Sequence, residues 1–206
     1  MAGSAKRKKQ YSYAEYLTWE NDQRCEIIDG DVFAMNSPGS SHQRIVREIS
    51  TQLALFFTGK ECEVFCAPLD VIFCGAARAD SEIKTVVQPD IMVVCDRAKI
   101  EERGIIGSPD LIVEVSSPST ASHDNIRKRA LYEREGVHEF WIVSPVDRLV
   151  RVYKLGSAGR FNVEEVFDDE AVIKVERFPG LSIDLKKVFP ARPPVYKVKA
   201  PVEDYS

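Results

Sequence analysis

Pro109-Asp110-Leu111-Ile112-Val113-Glu114-Val115-Ser116-Ser117-Pro118-Ser119-Thr120 is an apolar β run with one carboxylate set inside it, and the rest of the chain is read outward from it. A strand this rich in Leu, Ile and Val has the pattern of a central strand buried on both faces. An ionised Glu114 in such a strand costs several kcal/mol unless a partner or a metal compensates it. A second run, Gln88-Pro89-Asp90-Ile91-Met92-Val93-Val94-Cys95, places an acid directly before another apolar strand. Two strands that offer acids to the same end of a sheet can together hold a divalent cation.

Around these runs the chain predicts a single α/β domain built on a mixed β-sheet flanked by helices, over residues 13–190. A basic tail (1–12, with Ala5-Lys6-Arg7-Lys8-Lys9) precedes it and a Pro-rich tail (191–206) follows. Ser12 and Glu15 form a capping box for a short helix over Tyr13–Trp19. Two apolar runs on either side of Asp29-Gly30 signal a hairpin. Ile45, Ile49, Leu53 and Phe57 recur every fourth residue and predict an amphipathic helix over Ser41–Phe57, ended by Gly59. Strands are expected at Glu63–Phe73, at the Asp90 and Glu114 runs, at His138–Val143 and Arg148–Leu155, and at Phe161–Phe167 and Ala171–Val175. Between the Asp90 and Glu114 strands a helical turn is expected near Ala98–Arg103. A helix over Ser122–Glu135 ends at Gly136, and another covers Leu185–Phe189.

Composition sets bounds on function. With 206 residues, 44% hydrophobic and 29% charged, the chain has the make-up of a soluble globular protein. No apolar run approaches the ~20 residues of a membrane span. The five cysteines lack paired metal-site spacing and read as reduced thiols in a cytoplasmic protein. A net charge of −4 argues against a broadly basic nucleic-acid surface but leaves room for a local basic cleft.

Asp90 and Glu114 supply hard oxygen donors that suit magnesium or manganese. Such an ion lowers the pKa of a bound water and offsets charge developing on a phosphate. The helix His123-Asp124-Asn125-Ile126-Arg127-Lys128-Arg129-Ala130-Leu131-Tyr132 follows the Glu114 strand and must fold back over the sheet. Lys128 has Asp124 and Tyr132 four residues to either side, so the three share one helical face. A long lysine there reaches back toward the acids; the bland alternative is an exposed Asp124–Lys128 pair.

The order Pro89-Asp90, Glu114-Val115-Ser116 and Lys128 resembles the PD-(D/E)xK nuclease superfamily with its lysine moved from strand to helix. More narrowly, four phrases resemble the Uma-type family of restriction-endonuclease-like proteins: Glu26-Ile27-Ile28-Asp29-Gly30, His42 in the next helix, Pro109 to Thr120, and Gly136-Val137-His138-Glu139-Phe140-Trp141. The likeness spans about Tyr13 to Phe189. It implies a restriction-endonuclease-like core, a Mg2+ (or Mn2+) site, DNA as the substrate and a homodimer. Carried over by position, Asp90, Glu114 and Lys128 are catalytic, with Asp90, Glu114 and Glu26 as metal ligands, Glu26 through water or directly. His42, Asp124, Ser116 and Tyr132 support them. Ser116 is the departure, because the superfamily usually carries a lysine there.

Three readings follow. The first is a metal-dependent endodeoxyribonuclease, with Glu26, Asp90, Glu114 and Lys128 converging on one cleft. The second is a nuclease fold that binds nucleic acid or dimerises without turnover, with Lys128 turned away or held by Asp124. The third is metal-dependent hydrolysis of another phosphate compound. Each supporting residue has a plainer role as well: Glu26 as a surface acid of the hairpin, His42 as a helix-start residue, Asp110 as a strand-entrance cap, and Asp124 as a first-turn acid.

Overall fold

A computed structural model describes residues 9–19, 24–77, 79–117 and 123–190, so the tails expected at 1–12 and 191–206 fall largely outside the described residues. In chain order the elements are α1 (Tyr13–Tyr16), β1 (Cys25–Ile28), β2 (Asp31–Ala34), α2 (Ser40–Phe57), β3 (Glu63–Cys66), β4 (Val71–Ile72), β5 (Val86–Val87) and β6 (Ile91–Val94). They continue with β7 (Ile100–Glu101), β8 (Gly104–Ile106), β9 (Leu111–Val115) and a π-helical turn (His123–Lys128) that runs into α3 (Arg129–Arg134). The last are β10 (Glu139–Ser144), β11 (Leu149–Leu155), β12 (Phe161–Asp168), β13 (Val172–Lys174), β14 (Ser182–Asp184) and α4 (Leu185–Val188). Among the described residues no helix is long and apolar enough to cross a membrane.

Among the described residues the strands form two six-stranded sheets and a small ribbon. The central sheet has the order β12-β11-β10-β9-β6-β3, and the second has β2-β1-β5-β4-β8-β7. In the central sheet β9 and β10 are parallel, and β6 runs antiparallel to β9 with Ile91 opposite Val113. Extending that register by one residue sets Asp90 opposite Glu114. The two acids therefore do lie at the same end of the sheet, because one begins its strand where the other ends.

Alternation along β6, β9 and β10 divides the core in two. Ile91, Val93, Leu111, Val113, Val115, Trp141 and Val143 turn to one face and pack with Ile45, Ile49, Leu53 and Phe57 of α2. The ribbon of β13 and β14 and helix α4 close the same layer through Ile173, Ile183, Leu185 and Val188. Met92, Val94, Ile112, Phe140 and Ile142 turn to the opposite face and meet Ile28, Val71, Val87 and Ile105 of the second sheet, with Leu131 and Tyr132 of α3 between them. Glu114 belongs to this second face, so its carboxylate points between the sheets rather than toward α2.

Several sequence readings hold locally. Ser12 and Glu15 make the capping box of α1. The hairpin turn has positive φ at both Asp29 (52°) and Gly30 (82°), the twist that two-residue hairpins favour. Others need correction. The apolar stretch 63–73 is not one strand: β3 joins the central sheet and β4 the second, with a bend at Ala67-Pro68 between them. The helical turn expected at 98–103 is shorter, at Arg97–Lys99, and gives way to the β7–β8 hairpin. Cys62 and Cys95 are joined in a disulfide, so the expectation of five free thiols fails; Cys25, Cys66 and Cys74 are free. The reason is register, since Glu63 pairs with Val94 and the next step sets the two sulfurs face to face. The thiol argument for a reducing compartment falls with it.

Asp110 has a structural place at the other end of β9. Its carboxylate accepts hydrogen bonds from the Cys95 backbone N–H (2.9 Å) and from Arg177 Nη2 (2.7 Å). Asp110→Asn is expected to lower the unfolding free energy by about 1–3 kcal/mol through loss of the charge-assisted bond. Urea unfolding of the two proteins checks this, and an unchanged midpoint would contradict it.

Candidate metal and hydrolase centre

The centre is assembled at the seam between the two sheets. Glu26 comes from β1, Glu114 from β9 and Lys128 from the last residue of the π-helical turn. Lys128 Nζ donates to Glu114 Oε1 at 2.8 Å and to Glu26 Oε1 at 2.9 Å. These three residues are only 3–4% exposed, so water competes little for the ion pairs. Tyr132, four residues beyond Lys128, donates its hydroxyl to the same Glu114 Oε1 at 2.7 Å. Glu26 Oε1 also accepts from the backbone N–H of Gln88 at 2.9 Å. The spacing that puts Lys128 and Tyr132 on one helical face thus brings both donors onto one carboxylate.

Asp90 is held from two sides. Its Oδ2 accepts from the backbone N–H of Val115 at 2.8 Å and contacts His42 Nε2 at 3.1 Å. An ionised carboxylate only accepts, so His42 carries a proton on Nε2 when it makes this bond. His42 Nδ1 is buried and has no hydrogen-bond partner among the described residues. Helix α2, seated on the opposite face of the central sheet from Glu114, thereby reaches Asp90 at the sheet end.

The other expected residues fall differently. Ser116 is buried, and its hydroxyl meets the Val143 carbonyl (3.2 Å) and the Ser144 hydroxyl (3.5 Å) of β10 rather than the acids. Asp124 lies in the π-helical turn, and its side chain falls outside the described residues.

Sequence reasoning missed a polar network next to Glu26. Arg24 Nε donates to Gln88 Oε1 at 2.9 Å, and Gln88 Nε2 donates to Asp70 Oδ1 at 2.8 Å and to the Tyr16 hydroxyl at 3.3 Å. Tyr16 in turn donates to Asp70 Oδ1 at 3.2 Å. Burial pushes the Asp70 carboxyl above its usual range, against the pull of the Gln88 and Tyr16 hydrogen bonds. Burial, with the nearby Asp70 charge, likewise raises the Tyr16 hydroxyl. Two signals were present in the sequence: Gln88 directly precedes Pro89-Asp90, and Arg24 stands two residues before Glu26 on the same side of the strand.

Among the described residues no three His, Cys, Asp or Glu side chains group closely enough to hold a metal ion. The donor chemistry nevertheless fits a small hard cation. Magnesium commonly takes one or two protein carboxylates and completes its shell with water and substrate phosphate oxygens. Among the described residues, both hydrogen bonds of the Asp90 carboxylate fall on Oδ2. Taken by themselves, Glu26, Asp90, Glu114 and Lys128 leave an excess of two negative charges, which a divalent ion would offset.

Lys128→Met is expected to lower the unfolding free energy by about 3–5 kcal/mol, because it leaves two buried carboxylates without their cation. Adding Glu26→Gln to that variant should restore part of the loss. A denaturant double-mutant cycle measures the coupling, and strictly additive effects would contradict the ion-pair geometry.

Comparison with known proteins agrees with this architecture. The model of the Uma2 family, described as "Putative restriction endonuclease", matches residues 13–186. Uncharacterized protein slr1290 of Synechocystis sp. is 29% identical over 148 residues, covering 70% of this chain and 74% of its own length. A crystal structure described as a "putative nuclease belonging to DUF820", from Anabaena variabilis, superposes with a TM-score of 0.69 at 23% identity. That superposition covers 86% of this chain and 97% of the other, a likeness of fold. With its restriction-endonuclease-like α/β fold, the chain belongs to the Uma2 family.

Proposed function

We propose that this protein is a metal-dependent endonuclease that hydrolyses DNA phosphodiester bonds. The observation that carries the reading is the buried ammonium of Lys128 bound to both Glu26 and Glu114 beside Asp90. The Uma2 match supports nuclease chemistry, and the acid set supports magnesium or manganese. Asp90 and Glu114 would hold the ion, with Glu26 joining through water. When bound, the ion makes an attached water nucleophilic and offsets charge on the phosphate.

The chain's own residues do the rest. Val115 N–H and His42 fix Asp90 through Oδ2, so that the carboxylate is held ready at the sheet end. Tyr132 and Lys128 together fix Glu114. The ammonium of Lys128 keeps the two glutamates together before any substrate arrives and balances the negative charge of the acids. Such preorganisation is the main lever for phosphoryl chemistry, where the protein positions and stabilises charge. Cutting both strands of a duplex calls for two such sites, which a homodimer would supply.

A second reading, a nuclease fold that binds nucleic acid without turnover, expects Lys128 turned away or held by Asp124. Lys128 is instead buried between Glu26 and Glu114, which favours the nuclease reading.

Manganese calorimetry and nicking of supercoiled plasmid, run on the same preparations of wild type and Asp90→Ala, separate the two. The nuclease reading expects wild type to bind manganese and nick the plasmid, with both lost in the variant. Wild type that neither binds manganese nor nicks would leave the binding module.

A further inference from the structure

We propose that Arg24 is the phosphate-gripping residue of this site, its guanidinium receiving the oxygens of a phosphodiester next to the acid centre. The inference rests on the nuclease reading above and names a residue that reading does not use.

Arg24 stands two residues before Glu26, so strand alternation puts both side chains on the same side of the backbone. Both are fixed by Gln88, a residue only 8% exposed. Arg24 Nε donates to the Gln88 side-chain oxygen, while the Gln88 backbone N–H donates to Glu26 Oε1, each at 2.9 Å. One buried residue therefore ties the guanidinium to a carboxylate of the centre. The neighbouring Nη2 group is not used in this way. Arg24 Nη2 is buried and has no hydrogen-bond partner among the described residues.

A buried cationic N–H without an acceptor is costly, and an anionic ligand removes that cost. The nearby acids do not supply it. Asp70 Oδ1 accepts from Gln88 and Tyr16, and Glu26 Oε1 accepts from Lys128 and Gln88. The planar fork of arginine matches two phosphate oxygens, whereas a lysine offers a point charge only. A polyanion approaching a centre of three carboxylates, on a chain of net charge −4, also needs a cation beside that centre. Arg24 is anchored for that task, because Gln88 holds Nε and leaves Nη2 for the ligand.

The test is binding of a short duplex DNA by fluorescence anisotropy, in calcium and at several salt concentrations, for wild type, R24Q and R24K. R24Q is expected to bind about ten- to a hundredfold more weakly. The slope of log K against log salt should fall by about one, as for one lost phosphate contact. R24K should keep the wild-type slope but bind more weakly, having the charge without the fork. R24Q that binds with the wild-type slope overturns the proposal and makes Arg24 a structural residue. Should R24Q fail to fold, R24K decides: weaker binding at an unchanged urea midpoint supports the proposal, and wild-type affinity overturns it. Wild type that binds no DNA overturns the nuclease reading and this proposal together, whereas tight wild-type binding with no effect of either variant overturns this proposal alone.

Discussion

The centre depends on one buried ammonium. Lys128 sits between carboxylates contributed by two different sheets, and its two ion pairs bridge 102 and 14 residues of chain. Burying three charged groups is expensive unless each is matched, and here the geometry matches them with added hydrogen bonds from Tyr132 and the Gln88 backbone. Such an arrangement is weak as a source of stability but strong as a constraint. Glu114 must point between the sheets, β1 must approach from the far side, and the helix after β9 must lie over both.

The rest of the fold serves that constraint. The face of β6, β9 and β10 that packs on α2 is wholly apolar in its central rows, which gives the sheet a rigid backing. The other face carries Glu114 near the close of β9 and Asp90 directly before β6 at the same end. His42 lets α2 contribute from the opposite side of the sheet by reaching around that end. Among the residues proposed to do chemistry, Glu26 and Asp90 are braced by the backbone N–H groups of Gln88 and Val115, and Glu114 by Lys128 and Tyr132, as a preorganised site needs.

Much of this was legible in the sequence because it is written in local patterns. An acid inside an apolar run demanded a partner, and a lysine with a tyrosine four residues on supplied one. The Asp29-Gly30 turn marked the hairpin that carries Glu26. What escaped depended on contacts distant in sequence. The stretch 63–73 hides its division between two sheets, because both halves read as strand although β3 is partly exposed and β4 buried. The Cys62–Cys95 bond, spanning 33 residues, becomes visible only when the β3–β6 register is known. Arg24, Gln88, Asp70 and Tyr16 form a network joined across 18 to 72 residues, and although Arg24 and Gln88 stand beside site residues in the sequence, nothing there pairs them with each other or with Asp70 and Tyr16. The roles of Asp90, Glu114 and Lys128 go further than geometry and rest on what the acids bind.

That is tested most directly by crystals grown with manganese and measured at a wavelength where the metal scatters anomalously. The account predicts a single strong anomalous peak bonded to carboxylate oxygens of Asp90 and Glu114, with Lys128 still paired to Glu26. A map with no peak at these acids, from crystals that hold manganese elsewhere, would contradict it and leave Glu26, Lys128 and Glu114 as a structural ion-pair set.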